Sequence, residues 1–356
     1  MPAPVSPLPS EDLDHVLAHT RELWLGARGQ SFFITGGTGF FGMWLLESFA
    51  RANDALALGM RATVLTRDPA AFAQKAPHLT QRADLIFLQG DLRTFAYPAG
   101  QFTHFIHAAA DTGVWTQKKD FDTVIDGVVA GTRHLLDFAS QAGVKKFLLI
   151  SSGAVYGPQP AGLTHMPEDY SGAPDSHSPD SAWGAGKRVA EHLCTDHAAQ
   201  HGYAVKIARG FAFVGPHLPL NANYAMGNFL RDAMRGEPIR VNGDGTPIRS
   251  YLYAADLAIW LWTILFRGIP DRAYNVGSDV AASVADHARM VSAGFGGRPP
   301  VLIAQPPGEA SAGSRYVPAI SRARDELGLA VLIAEAEGIR RTKDWLGLPA
   351  RNISSP

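Results

Sequence analysis

Three glycines spaced three residues apart, Gly36, Gly39 and Gly42, follow a short apolar run from Phe32 to Ile34. They stand directly before Met43-Trp44-Leu45-Leu46-Glu47-Ser48-Phe49-Ala50, whose apolar residues recur at helical spacing. A strand, a glycine turn and a helix in that order form the setting in which a dinucleotide binds. The chemistry is that of a phosphate cradle. The first glycine permits a tight turn, the second lets the backbone approach a pyrophosphate, and the third lets helix and strand pack closely. The N–H groups that open the helix then face the anion. An ordinary glycine-rich loop has the same composition; the flanking strand and helix favour nucleotide binding over it.

A second chemical position is the end of the next expected strand, Arg61 to Thr66. An acidic side chain there would bind the adenosine ribose hydroxyls and repel a 2′-phosphate. The sequence instead has Thr66-Arg67, with Asp68 one step late. Arg67 suits a 2′-phosphate, which favours NADP over NAD; the alternative is a solvated surface arginine.

These groups need a sheet to hold them. Strands are expected at Leu85–Gln89, ending in Gly90-Asp91-Leu92-Arg93, and at Thr103–His107, running into Ala108-Ala109-Ala110. Small residues at such a strand end let a dinucleotide lie on the backbone. Further strands are expected at Lys145–Ile150, ending in Ser151-Ser152-Gly153-Ala154-Val155-Tyr156-Gly157, and at Ala204–Ala208, with helices at Phe121–Ala142 and Trp183–His201 between them. Strands alternating with helices give an α/β fold, a Rossmann-type doubly wound parallel sheet. Ahead of it, Ser10 is expected to cap a helix to about Leu25. Gly157 to Ser181 holds five prolines and reads as a wall of the active site. Beyond 210 a smaller mixed C-terminal lobe is expected. It has a helix at Gly227–Arg235, a strand at Ile248–Tyr253, an apolar helix at 254–267 and helices near 283–293, 321–327 and 335–346. The divisions are a 1–28 extension, a 29–210 dinucleotide-binding domain and a 211–356 portion that is mainly substrate lobe, with the chain free to return to the sheet.

Composition removes other classes. Apolar residues make up 46% of 356, enough for one large domain or a domain and a lobe. The net charge of −1 offers no general attraction to nucleic acid or an anionic membrane. Cys194 is the one cysteine, which excludes an intrachain disulfide and fits a reducing cytoplasm. The thirteen histidines show no HExxH or paired Cys/His spacing, so no metal is expected. No basic stretch followed by an apolar core opens the chain, so no signal peptide is expected. Leu257 to Phe266 is too short to span a bilayer.

From about Phe32 to Gly347 the chain resembles the extended short-chain dehydrogenase/reductases, the nucleotide-sugar epimerase/dehydratase family. The resemblance rests on Thr35-Gly36-Gly37-Thr38-Gly39-Phe40-Phe41-Gly42, Gly90-Asp91-Leu92-Arg93, His107-Ala108-Ala109, Ser151 to Gly157, Gly186-Lys187-Arg188, Val214-Gly215-Pro216 and Arg249 to Leu257, taken in order. It implies a pyrophosphate turn of Gly36, Gly39 and Gly42, with N–H groups from Phe40 and Phe41. It implies Asp91 on the adenine amino group, Leu92 on the ring, and Ala108, Ala109 and Ala110 along the cofactor cleft. Ser152 would hydrogen-bond the reacting sugar oxygen. Lys187 would hold the nicotinamide ribose and lower the pKa of a neighbouring acid/base. Arg249 would bind the diphosphate of a nucleotide sugar. A homodimer through the 121–142 and 183–201 helices is a further implication. Each residue also has a plainer reading: Asp91 capping a turn, Arg249 as a strand-edge charge, Ser152 bonded to its own backbone.

The chain also departs from the resemblance. The family's tyrosine, four residues before the lysine, is here Trp183. An indole N–H donates only and cannot take a proton as a tyrosinate does. Tyr156 and Tyr170 are the substitutes in view. The Asp-Glu pair of the 4,6-dehydratases falls on Gly153 and Ala154, and the glutamate of the UDP-glucuronate decarboxylases also falls on Ala154. Neither residue does acid/base chemistry. Ala212 stands where an asparagine often touches substrate phosphate. What remains is 4-epimerisation or 4-keto reduction of a nucleotide-diphosphate sugar with NAD or NADP. The alternatives are a catalytically weak member that only binds, and a reductase of a non-sugar carbonyl.

Overall fold

Seven parallel strands form the central sheet of the computed structural model, which describes residues 5–109, 121–222, 224–306 and 314–347. They are β1 (Ser31–Thr35), β2 (Arg61–Thr66), β3 (Leu85–Gln89), β4 (His104–His107), β5 (Lys146–Ser152), β6 (Ala204–Gly210) and β7 (Arg272–Val276). Their spatial order is β7-β6-β5-β4-β1-β2-β3. The chain winds outward from β1 through β2 to β3, then restarts on the other side at β4. The crevice between β1 and β4 is therefore the switch point, where the carboxyl ends of the strands leave room for a ligand.

Alternation along β1 divides the core. Phe32 and Ile34 face one layer and Phe33 the other, all fully buried. On the first face lie the helices Ser10–Leu25, Phe40–Leu56 and Ala254–Arg267, where the Trp24 and Trp262 rings meet at 4.4 Å. On the second lie Phe121–Gln141 and Ala182–His201, packed on each other. Gly186 faces Ile125 and Val128 there. Ser10 is the first helical residue and not the cap; Pro9 precedes it, and no side chain caps the helix. A proline there needs no donor, since the first N–H groups of a helix have no internal partner. The helix is fixed instead by Asp12, whose carboxylate accepts from the Tyr253 hydroxyl at 2.5 Å and from Arg341 at 2.7 Å.

The last third of the chain contributes to both layers. Helix Ala254–Arg267 and strand β7 belong to the central sheet region. The expected strand over 248–253 is broken into two. Ile248–Arg249 runs between Ala282–Ser283 and Arg315–Tyr316, while Leu252–Tyr253 pairs with Phe213–Val214. The two halves bond to different neighbours, so the chain turns at buried Ser250 and Tyr251. This break puts Arg249 on a small sheet beside Tyr316. Among the described residues, no helix is long and apolar enough to cross a membrane.

Candidate active site

The glycine turn is built as its spacing requires. Gly36 has φ +73°, and a Cβ there would come within 2.5 Å of the Ala108 carbonyl and the Ala109 nitrogen. Ala108 is itself tied to β1 through Thr35, whose hydroxyl also accepts from Ala109 N–H at 3.2 Å. A Cβ on Gly42 would strike the carbonyl groups of Gly36 and Gly37, so the helix start lies on the turn. Gly39 differs: among the described residues a Cβ there meets only the Gly36 carbonyl, at 3.6 Å. Gly39 precedes helix Phe40–Leu56 without any side-chain cap, and Phe40 and Phe41 are its first residues. A helix start at which a Cβ on Gly39 meets no described side chain fits a dinucleotide pyrophosphate.

The rest of the crevice follows the strand ends. Asp91 accepts from the Arg93 guanidinium at 2.8 Å and the Arg93 N–H at 2.9 Å, which lowers its pKa. The turn-capping reading of Asp91 is therefore realised, with its carboxylate still partly exposed. Leu92 packs onto Gly131 of the second helical layer. Arg67 is exposed at the end of β2, close enough to Asp91 to act on its charge. Asp68 caps helix Pro69–Lys75 through Ala71 N–H, which explains an acid one step beyond the ribose position. Ala110 lies outside the described residues. Lys75, which has no motif around it, donates to the Thr38 carbonyl in the glycine turn at 3.2 Å and adds a cation there.

At the end of β5 the reactive groups gather. Lys187 is buried, donates to the Ile150 carbonyl at 2.9 Å, and is pushed down to about 8 by burial. Trp183, one helical turn earlier and half-buried, lies with its ring centre 5.1 Å from the Lys187 ammonium. Helix Ala182–His201 reaches this point because Gly184 lets it rest on the Ala154 carbonyl. Ser152 Oγ accepts from Ala154 N–H at 3.2 Å, the local bond expected of a serine at a strand end.

Tyr316 completes the group, and nothing near it in the sequence announces it. Its hydroxyl lies beside the Ser152 side chain and the Gly153 and Ala154 N–H groups. A Cβ on Gly153 would come within 2.7 Å of that hydroxyl and 2.8 Å of the Phe211 ring. The Tyr316 and Phe211 rings meet at 4.6 Å, tilted by 34°. Burial pushes the Tyr316 phenol up to about 12, against the opposing pull of Ser152 and Arg249. Arg249 is the direct strand partner of Tyr316. Its guanidinium donates to the carbonyl groups of Ile248 and Ser314, and among the described residues no carboxylate pairs with it.

The two tyrosines in view from the sequence are placed elsewhere. Tyr156 is buried, donates to Asn275 at 2.7 Å and accepts from Arg209 at 2.8 Å. Arg209 in turn makes a two-pronged bond with Glu191, and Glu191 accepts from Ser151. Burial raises Tyr156 to about 12, and its hydroxyl is fully used in this network. Tyr170, on the 157–181 loop with Met166, packs against the cluster of Val155, Tyr156 and Met166. Among the described residues no group of His, Cys, Asp and Glu side chains could hold a metal.

A model of the NAD dependent epimerase/dehydratase family matches residues 32–277. UDP-glucuronic acid decarboxylase 5 of Arabidopsis thaliana is 34% identical over 164 residues, 46% of this chain and 47% of that protein. The chain thus spans about half the length of that relative. The dTDP-glucose 4,6-dehydratase of Streptomyces antibioticus is 27% identical over 335 residues, 88% of this chain and 92% of that protein. Among solved structures, an epimerase of Methanothermobacter thermautotrophicus superimposes with a TM-score of 0.75 at 20% identity, covering 93% of this chain and 96% of the other. The UDP-glucose 4-epimerase of Thermotoga maritima, solved with UDP-glucose, gives 0.73 at 19% identity over 89% and 98%. At these identities the structural likeness shows the fold.

Proposed function

The chain belongs to the NAD dependent epimerase/dehydratase family, and from that premise we propose that it oxidises or reduces one carbon of a nucleotide-diphosphate sugar, by 4-epimerisation or by reduction of a 4-keto sugar. The observation that carries this reading is the convergence on Ser152. Lys187 lies behind it at the Ile150 carbonyl, Tyr316 touches it, and Arg249 flanks Tyr316. The Gly36–Gly42 turn stands on the same strand-end side of the sheet.

In this reading bound NAD(P) supplies the hydride acceptor and donor. Gly36, Gly39 and Gly42, with the N–H groups of Phe40 and Phe41, hold the pyrophosphate. Asp91 and Leu92 hold the adenine, Ala108 and Ala109 line the cleft, and Lys187 holds the nicotinamide ribose. Arg67 in place of an acid favours NADP over NAD. Arg249 pairs with the substrate diphosphate as a guanidinium fork. Ser152 bonds the sugar oxygen. Trp183 cannot accept the hydroxyl proton, so Tyr316, the phenol beside Ser152, gives its proton to the keto oxygen on reduction and, as the phenolate, takes the hydroxyl proton on oxidation. Gly153 and Ala154 bring no acid, and the space a side chain at 153 would need is held by Tyr316 and Phe211. That argues against the dehydration and decarboxylation for which the two sequence relatives are named.

A second reading has its own observation. Lys187 under an indole in place of a phenol favours a catalytically weak member that binds cofactor and nucleotide sugar. A homodimer through the Phe121–Gln141 and Ala182–His201 helices and a cytoplasmic setting belong to the same proposal. The test is to identify the nucleotide that copurifies by mass and absorbance. The chain is then incubated with UDP-, dTDP-, CDP- and GDP-sugars while reduced nicotinamide is followed. Reduction by one of them supports the enzyme. Binding without reduction supports the second reading, and neither binding nor reduction sinks both.

A further inference from the structure

The Arg249 guanidinium rests on the Ile248 and Ser314 carbonyl groups, with no carboxylate beside it among the described residues, so its place depends also on how the Arg249 backbone is held. The main-chain carbonyl of Arg249 is met from inside by His287, on helix Val284–Gly294. His287 Nε2 lies 3.2 Å from that oxygen, and Nδ1 lies 2.6 Å from Glu335 Oε1, at the start of helix Glu335–Gly347. His287 is fully buried and the Glu335 side chain is 8% exposed, so water does not replace either bond.

Both partners of the ring are acceptors, a carbonyl and a carboxylate. A neutral imidazole has one N–H and one lone pair. If its proton faces Glu335, the lone pair of Nε2 faces the Arg249 oxygen and repels it; if its proton faces Arg249, Nδ1 opposes the carboxylate. With Glu335 ionised, only the imidazolium satisfies both contacts. The other groups around the ring agree with a cation. Asp286 is its chain neighbour and adds a negative charge, and the Tyr251 ring meets it in a T-shaped contact at 4.8 Å. Tyr251 stays neutral because burial raises its phenol.

We propose that His287 and Glu335 are a positioning pair that holds Arg249 ready for the substrate diphosphate, and that they do so only while His287 is an imidazolium. This rests on the diphosphate role given to Arg249 above. Burial lowers the affinity of His287 for its proton, but the hydrogen bond and charge of Glu335 and the carbonyl of Arg249 outweigh it and leave the pKa above the usual 6.5. The sign follows. The clamp is complete below the unfolded value and is lost as pH rises through the raised one, so diphosphate affinity falls as the solution turns alkaline.

The test uses the full chain and two readouts. Nitrogen-15 histidine spectra, with His287 assigned by its loss in His287→Gln, report both ring nitrogens. The expected pattern at neutral pH is an imidazolium that titrates above the other histidines. Calorimetry with UDP-glucose and dTDP-glucose follows binding, because their diphosphates are diesters with no proton to lose in this range. Affinity should fall about ten-fold between about pH 6 and pH 9, the loss of one charged hydrogen bond. Glu335→Gln removes the anion but keeps a polar partner. It should move the midpoints of both curves down by about one unit or more, with tight binding retained at low pH. A neutral His287 at pH 7 overturns the proposal, and so does binding whose pH profile is unchanged in Glu335→Gln. If neither nucleotide sugar binds the native chain at any pH, the substrate class fails, while the spectra still decide the state of the pair.

Discussion

The Lys187 ammonium lies 5.1 Å from the centre of the Trp183 ring and donates to the Ile150 carbonyl. A buried lysine in that place would lower the pKa of a phenol above it. Over an indole it makes a cation–π contact and has no proton to share with the ring. The proposed reaction therefore needs another hydroxyl to carry the proton. Tyr316, beside the Ser152 side chain and the Gly153 and Ala154 N–H groups, offers one.

The glycine turn gives a pair of contrasting substitutions. Gly39→Val should abolish or strongly weaken dinucleotide binding while the melting temperature changes little, because a side chain there meets only the Gly36 carbonyl at 3.6 Å. Gly36→Ala should instead destabilise the fold, since the residue has φ +73° and its Cβ would meet the Ala108 backbone at 2.5 Å. Calorimetry with NAD and NADP, beside thermal melts, checks both. Unchanged affinity in a folded Gly39→Val chain would move the cofactor elsewhere.

Cofactor choice turns on Arg67. The native chain should bind NADP at least as tightly as NAD, and Arg67→Ala should lose affinity for NADP while leaving NAD unchanged. A preference for NAD that ignores the substitution would remove Arg67 from the site.

Arg249→Ala should weaken UDP- or dTDP-sugar binding by about ten-fold or more, the equivalent of roughly 1.5–3 kcal/mol for a charged hydrogen bond. Dinucleotide affinity should stay the same. Equal losses for both ligands would mean that the small sheet of Ile248–Arg249, Ala282–Ser283 and Arg315–Tyr316 has been damaged as a whole.

The parts of the fold legible in the sequence are those with a local cause. Ser31 to Gly42 carries its strand, turn and helix start in twelve consecutive residues, and the alternation of apolar runs with helical spacing gives the parallel sheet. The break at Ser250 was not legible, because it depends on which distant strands Arg249 and Leu252 find. Nor was the capture of Tyr156 by Asn275 and Arg209, residues 119 and 53 positions away. Tyr316 stands far beyond Ser152 in the chain, on a two-residue strand with no periodic pattern to read. Ser10 shows the converse limit. A capping residue type marked the helix start to within one residue, but the cap itself is not made.

The central claim is that a sugar proton is handled at Ser152 by Tyr316 in the absence of a tyrosine at 183. Single-turnover reduction of bound cofactor by the nucleotide-sugar panel tests it in the native chain, Tyr316→Phe, Trp183→Tyr and the double substitution. Phenylalanine keeps the tilted ring contact with Phe211 at 4.6 Å and removes only the hydroxyl. The account predicts slow but measurable reduction by the native chain and a loss of about 10²-fold or more in Tyr316→Phe with unchanged cofactor binding. It also predicts recovery when Trp183→Tyr is added above Lys187. Reduction that proceeds equally well with and without the Tyr316 hydroxyl would contradict it.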